Sequence, residues 1–302
     1  MTGLGALLRR NIKLFFKDKA TFFTSLITPV ILLVLYATFL GDVYRDTFLA
    51  SFQPYGIVVP EAILEGFVAG QLLSSLLAVS CVTVSFCSNM LMVQDKVNQV
   101  RRDLTITPVK RSTLALSYYL STSATSLIIF FLTAAAGFLY IALVGWYLSA
   151  ADVFFILLDV FLLVMFGTAL SSAINFFLST QGQISAVGTI ISSGYGFLCG
   201  AYMPISQFGE GLQTVLSFLP GTYGTALLRN HCLNGVFRDM QDIGYPPEVI
   251  DGIKEAMDCC PQILGEPVSI SGMYGILGVS VVLLIGLYVL FNCTLNKQES
   301  RK

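Results

Sequence analysis

Gln94-Asp-Lys-Val-Asn-Gln-Val-Arg-Arg-Asp-Leu-Thr-Ile-Thr-Pro-Val-Lys-Arg111 separates two long apolar runs and gathers Asp95, Lys96, Arg101, Arg102, Asp103, Lys110 and Arg111 into one short stretch. Elsewhere charge is scarce: 12% of the 302 residues are Asp, Glu, Lys or Arg, 55% are hydrophobic, and the mean hydropathy is +0.77. A chain this apolar reads as a multi-span membrane protein, so the charged stretch is a water-facing loop between spans.

Outward from that loop, runs of roughly 17–25 apolar residues, the length a helix needs to cross about 30 Å of hydrocarbon, mark transmembrane helices. They fall near 22–40, 68–92, 114–145, 153–178, 184–204 and 273–293, which predicts an all-α polytopic protein with six spans. The third run is longer than one crossing needs, so it tilts, bends near Gly137 or emerges at one end. The first reads as a retained span, because the segment before it is long and charged and no small-residue cleavage site follows.

Lys and Arg set the orientation, since cytoplasmic loops are enriched in them. The N-terminal segment holds Arg9, Arg10, Lys13, Lys17 and Lys19, the loop holds five more, and the tail holds Lys297, Arg301 and Lys302. Arg45, Arg229, Arg238 and Lys254 fall on the other side. Both termini are therefore expected in the cytosol of a multi-pass cell-membrane protein. The expected organisation is a cytosolic amphipathic interfacial helix (1–21), spans one to five (22–204) with the loop at 94–113, an extracellular segment (205–272), span six (273–293) and a cytosolic tail (294–302).

Within 4–17, Leu4, Leu7, Leu8, Ile12, Phe15 and Phe16 share one helical side, with Arg9, Arg10, Lys13 and Lys17 opposite. That pattern suits a helix lying on membrane lipids with its basic face toward anionic headgroups. Residues 41–67 read as an outer segment punctuated by Pro54, Gly56, Pro60 and Gly66, apolar enough in part to dip back toward the membrane. In span five, Gly196-x-x-x-Gly200 would let two helices approach closely, either across a dimer seam or within one chain, and Pro204 ends or kinks the span.

In the extracellular segment, Phe208 to Asn230 suits short helices that re-enter or lie on the outer leaflet, and Pro247–Met257 suits a short helix with proline in its first turn. The polar remainder is too small to bury a core of its own. Cys232, Cys259 and Cys260 all fall here, where an oxidising exterior permits a disulfide from Cys232 to Cys259 or Cys260.

The sequence contains no G-x-x-x-x-G-K-[ST] loop, G-x-S-x-G or H-E-x-x-H motif, so no catalytic residue or metal ligand is assigned and no enzyme activity is expected of the chain by itself. His231 beside Cys232 lacks the spaced partners of a metal site and reads as polar surface. Asp159 is the one ionisable residue inside a span, either hydrogen-bonded near the headgroups or on a substrate pathway. Gln71, Asn89 and Asn175 read as interhelical hydrogen-bond partners.

Val93, Val97, Val100 and Leu104 recur at helical spacing, so span two is expected to continue into a cytosolic helix, ended by Thr107-Pro108. An apolar stripe flanked by Lys96, Arg101, Arg102 and Asp103 is what a helix needs to dock in a protein groove.

At these residues the chain resembles the membrane subunit of an ABC-2-type exporter. The resemblance lies in Asp95-Lys96, Arg101-Arg102-Asp103-Leu104 and Thr107-Pro108-Val109-Lys110-Arg111, then in Gly200-Ala-Tyr-Met-Pro204, Leu219-Pro220-Gly-Thr-Tyr223 and Leu228-Arg229. Asn98 or Gln99 stands where the family often has glycine, and Phe208-Gly209 where many members have Leu-Pro. The resemblance implies a type V exporter-like fold and a homodimer, or a pairing with a homologous permease. It also implies two separate ATPase subunits that bind ATP and Mg, no cofactor in this chain and no nucleic-acid partner. Loop 94–113 would be the coupling helix, span five would face the dimer seam, and the cargo would be lipid-linked, glycan, peptide or drug-like. Two other classes fit parts of the sequence: an ion-coupled secondary carrier dependent on Asp159, and a membrane sensor or immunity protein with an extracellular ligand-binding lobe.

Overall fold

The computed structural model describes residues 2–52, 59–263 and 265–294. Pro54 and Gly56, and the tail with Lys297, Arg301 and Lys302, lie outside the described residues. Helix α1 (Thr2–Lys17) precedes α2 (Lys19–Leu35), which runs through a π-helical turn at Tyr36–Leu40 into α3 (Gly41–Phe52). The expected first outer segment is thus helical at its start. At its end, Glu61–Phe67 already belongs to α4 (Glu61–Ser88), which begins earlier than the apolar run because acids at a helix N-terminus are favourable.

Among the described residues, five helical stretches are long and apolar enough to cross a membrane: Lys19–Ala50, Glu61–Val97, Arg111–Val144, Ala150–Asn175 and Ile270–Thr294. The second joins α4 to α5 (Met90–Val97), and the others include α7 (Arg111–Val144), α8 (Ala150–Asn175) and α13 (Ile270–Thr294). The expected span at 184–204 is α9 (Gln181–Leu198), 18 residues long and diluted by Gln, Ser and Gly. It starts where a Thr180–Gln183 capping box satisfies its first amides. α7 runs unbroken for 34 residues, about 50 Å at 1.5 Å per residue. Gly137 does not interrupt it; a Cβ there would come within 2.3 Å of Leu73.

α4 is the hub, buried almost without break from Ile63 to Ser88. Small residues permit this, as they do between helices in lipid. A Cβ on Gly70 would meet the Cys232 carbonyl at 2.7 Å, and one on Gly167 of α8 would meet the Cys81 carbonyl at 2.9 Å. Hydroxyls in α4 bond back to their own helix, as Ser85 does to Cys81 O at 2.7 Å. Asn89 fills its expected interhelical role: its amide donates to Ser171 and Ser172 Oγ at 2.9 and 3.0 Å, and Asn175 donates to Asn89 O.

The largest departure from expectation is α11 (Pro220–Ile243), preceded by the short α10 (Glu210–Ser217). Instead of short helices on the leaflet surface, α11 is one continuous 24-residue helix packed against α4, α8 and α13. Pro220 occupies its first turn, and Gly244 closes it in a left-handed conformation at φ 95°. Its C-terminal half joins α3, the start of α4 and α12 (Pro247–Ala256) in a second core that includes Phe48, Phe52, Phe67, Met240, Ile250 and Ile253. The polar segment therefore shares a core with the spans rather than lacking one. A two-residue hairpin, β1 (Gln262–Ile263) and β2 (Glu266–Pro267), leads into α13.

The fold has two ends. At the basic end α1, α5, α6 (Val100–Ile106), the start of α7 and the end of α13 come together; at the opposite end lie α3, α12 and the 145–149 turn.

Candidate coupling loop and polar cleft

At the basic end the charged stretch is folded against its own protein. The helix continuing span two stops at Asn98, Gln99 takes a left-handed conformation at φ 62°, and α6 begins anew at Val100. This corrects the expectation of one helix carrying Val93, Val97, Val100 and Leu104. Val93 is fully buried and Leu104 packs inward with Met92 and Tyr118, so the stripe is no docking face. Ile106, 79% exposed, and Val97, 37% exposed, are the apolar residues facing out, beside the exposed Arg102, Asp103 and Pro108. Thr107 is extended (ψ 158°) and ends α6 as its following proline requires.

Three ties hold the loop. Asp95 accepts a bidentate pair from Arg10 of α1, at 2.7 and 2.9 Å, and a third bond from the Tyr118 hydroxyl at 2.6 Å. Arg10 thus leaves the lipid-facing group assigned to it and turns inward. The Asp95 carboxylate, through that hydrogen bond, raises the guanidinium pKa further above its usual value. Lys96 donates to the carbonyls of Phe176 and Leu178, at 3.1 and 3.0 Å, completing the C-terminal end of α8. Arg101 donates to Asn292 Oδ1 of α13 at 2.8 Å, and its guanidinium lies 5.8 Å from the Phe176 ring centre. Arg111 opens α7. In α1, Leu7, Asn11 and Phe15 are buried, while Arg9, Lys13 and Lys17 stay exposed.

In span five Gly196 faces Tyr202 of its own chain, whose ring a Cβ would meet at 2.3 Å. Gly200 lies beyond the helix end in a left-handed conformation, φ 73°. The two glycines therefore do not form one helical face, and the expected small-residue seam is lost. Gly200 O instead accepts from Arg229, whose guanidinium also donates to Met257 O, both at 2.7 Å. Asp258, 3.8 Å from Arg229, accepts from the Ile205 amide. Arg229, assigned to an outer loop by the sequence, is a buried clamp between the end of α9 and the segment after α12.

The opposite end holds a polar cleft of about 260 Å³ between α8, α11 and the start of α13. His231, read as polar surface, is buried here: its Nδ1 meets Asp159 Oδ2 at 2.6 Å, and its ring stacks on Phe155. Tyr274 donates to Asp159 Oδ1, also at 2.6 Å. Asp159 therefore joins three helices and, being fully buried, does not line a passage in this conformation. Asp152 accepts from Ser149 in a capping box, from Asn234 at 2.7 Å and from Arg238 at 3.2 Å. Sequence reading missed His231, Tyr274 and Asn234 because their helices could not be paired in advance; polar residues at 230, 231, 234 and 238 on one helical face were the available signal.

The expected disulfide is absent. All seven cysteines are free: Cys232 is buried in the main core, Cys259 in the second, and Cys260 is exposed. Burial pushes the Cys259 thiol up to about 12.

A helical bundle with several membrane-length apolar helices and a basic loop clamped to α1, α8 and α13 defines a polytopic membrane protein. The ABC-2 type transporter family model matches residues 2–232, and the chain belongs to that family. It is the permease component of an ABC transporter, a class that works with an ABC ATPase subunit and is generally not catalytic itself. Among curated proteins, none matches the chain.

Proposed function

We propose that this permease couples ATP hydrolysis by a separate ATPase to export of a lipid-linked, glycan, peptide or drug-like substrate. In this reading the complex has type V exporter-like architecture, with two permease copies, or one and a homologue, and two ATPases that hold the ATP and Mg. The basic end faces the cytosol. Support for that orientation comes from the Lys and Arg distribution and from the meeting of α1, the loop and the end of α13 at one end.

The observation that carries the proposal is the threefold tie of the loop through Asp95, Lys96 and Arg101. A loop fixed only to its own two helices would absorb a push. This one passes displacement to α1, α8 and α13 together, while Val97, Arg102 and Ile106 remain free for the ATPase. The seam between permeases falls on α9, whose Ile190, Phe197 and Leu198 are exposed, rather than on Gly196 and Gly200.

Co-expression with the P-loop ATPase from an adjacent reading frame tests the proposal. A stable complex whose ATPase activity changes on reconstitution supports it. Transport driven by an ion gradient with no ATPase present would replace it with the carrier reading.

A further inference from the structure

The cleft between α8, α11 and α13 presents polar groups that the coupling mechanism does not use. Arg238 spends only Nη2 on its contacts, Asp152 at 3.2 Å and Tyr147 O at 3.3 Å. Its side chain is 42% exposed, and Nη1 and Nε have no hydrogen-bond partner among the described residues. Asn234 uses its amide nitrogen on Asp152, leaving its oxygen as an acceptor at an exposed position. His231 uses Nδ1 on Asp159, leaving Nε2 at the cleft.

Charge narrows the ligand. Arg238 is balanced by Asp152 at 3.2 Å, so at this pair a net anion or a net cation would leave one charge uncompensated in a half-enclosed site. A zwitterion does not. A phosphodiester suits the free face of Arg238, and a primary ammonium suits the free oxygen of Asn234, beside the negative charge of Asp152.

The surroundings narrow it again. Below the cleft, Phe155, Leu158 and Leu162 follow one face of α8, and Ile270, Tyr274 and Gly278 follow one face of α13, all incompletely buried. A Cβ on Gly278 would meet nothing within 4 Å. This apolar track starts at the polar cleft and runs along α8 and α13, two helices long and apolar enough to span a membrane.

We infer that the cleft binds the headgroup of one membrane phospholipid bearing a primary ammonium, with its acyl chains on the α8–α13 track. The inference rests on the chain's membrane location and not on ATP coupling, so the two fail separately.

Native mass spectrometry of the full-length permease alone, in detergent, with equimolar dioleoyl phosphatidylethanolamine, phosphatidylglycerol and phosphatidylcholine, tests it. One phosphatidylethanolamine should remain bound per chain. Retention should fall about tenfold in Arg238→Gln and recover partly in Arg238→Lys. Because Arg238 also holds Asp152, a second variant, Ala151→Phe, fills the cleft without removing a charge and should release the lipid too. Equal retention of the three lipids, or unchanged retention in both Arg238→Gln and Ala151→Phe, overturns the inference. Displacement of the lipid by soluble glycerophosphoethanolamine at equal concentration assigns the cleft to free zwitterions and overturns it as well.

Discussion

Arg10 and Asp95 lie 85 residues apart in the chain and meet in a two-pronged ion pair of 2.7 and 2.9 Å that bolts the N-terminal helix to the charged loop. Asp95→Ala leaves the guanidinium and the Tyr118 hydroxyl without their acceptor. The loss is expected to be about 2 kcal/mol, below that of a fully buried pair because 28% of the Arg10 side chain is exposed. Thermal unfolding in detergent checks it, and Arg10→Ala should show a similar drop. The double variant should lose less than the sum of the two.

Arg229 is the most deeply buried Lys or Arg among the described residues, and both its terminal nitrogens donate to carbonyls of other segments. Arg229→Leu should destabilise the protein by about 3 kcal/mol or more, because both carbonyls lose their donor. Arg229→Lys should recover only part of this, since one ammonium lacks the fork that reaches Gly200 and Met257 together. A melting temperature for Arg229→Leu equal to that of the parent contradicts the clamp.

Gln99 holds a left-handed backbone that costs a residue with a Cβ about 1 kcal/mol. Gln99→Gly should therefore raise stability slightly, by up to about 1 kcal/mol. A fall in melting temperature argues that the turn is held by the Gln99 side chain instead.

Cys260 should react with a maleimide in the folded protein, while Cys232 and Cys259 react only after unfolding. Burial protects both, and the raised Cys259 thiol stays protonated at neutral pH, so little thiolate is present to attack. Mass spectrometry of labelled peptides with and without reductant should give the same pattern. Reductant-dependent labelling of Cys232 would restore the disulfide expected from its sequence position.

Five of the six expected spans and the charged loop were legible because membrane thickness imposes a long apolar run and water imposes a break in it. α11 was not, since a helix shielded from lipid by α4, α8 and α13 can carry Arg229, Asn230, His231 and Asn234, and so has no apolar run to find. The stripe at Val93 to Leu104 and the Gly196–Gly200 pair failed for a shared reason. Each assumed unbroken helix across a position, Gln99 or Gly200, where the backbone turns left-handed. Polar residues near His231 were visible, but Asp159 and Tyr274 reach it from helices 72 and 43 positions away in sequence, a pairing that only packing reveals.

The central claim is that the exposed face of α6 receives the ATPase while its inner face transmits motion. Arg102→Glu combined with Ile106→Glu alters only exposed side chains, so folding and yield should be unchanged. Like-charge contact and the lost apolar anchor should together cost about 2–5 kcal/mol of docking free energy. The decisive measurement is co-purification of the ATPase with this double variant, alongside its stimulated ATP hydrolysis. The account predicts that both are lost from a permease that still melts at the parent temperature; undiminished complex and unchanged stimulation would contradict it.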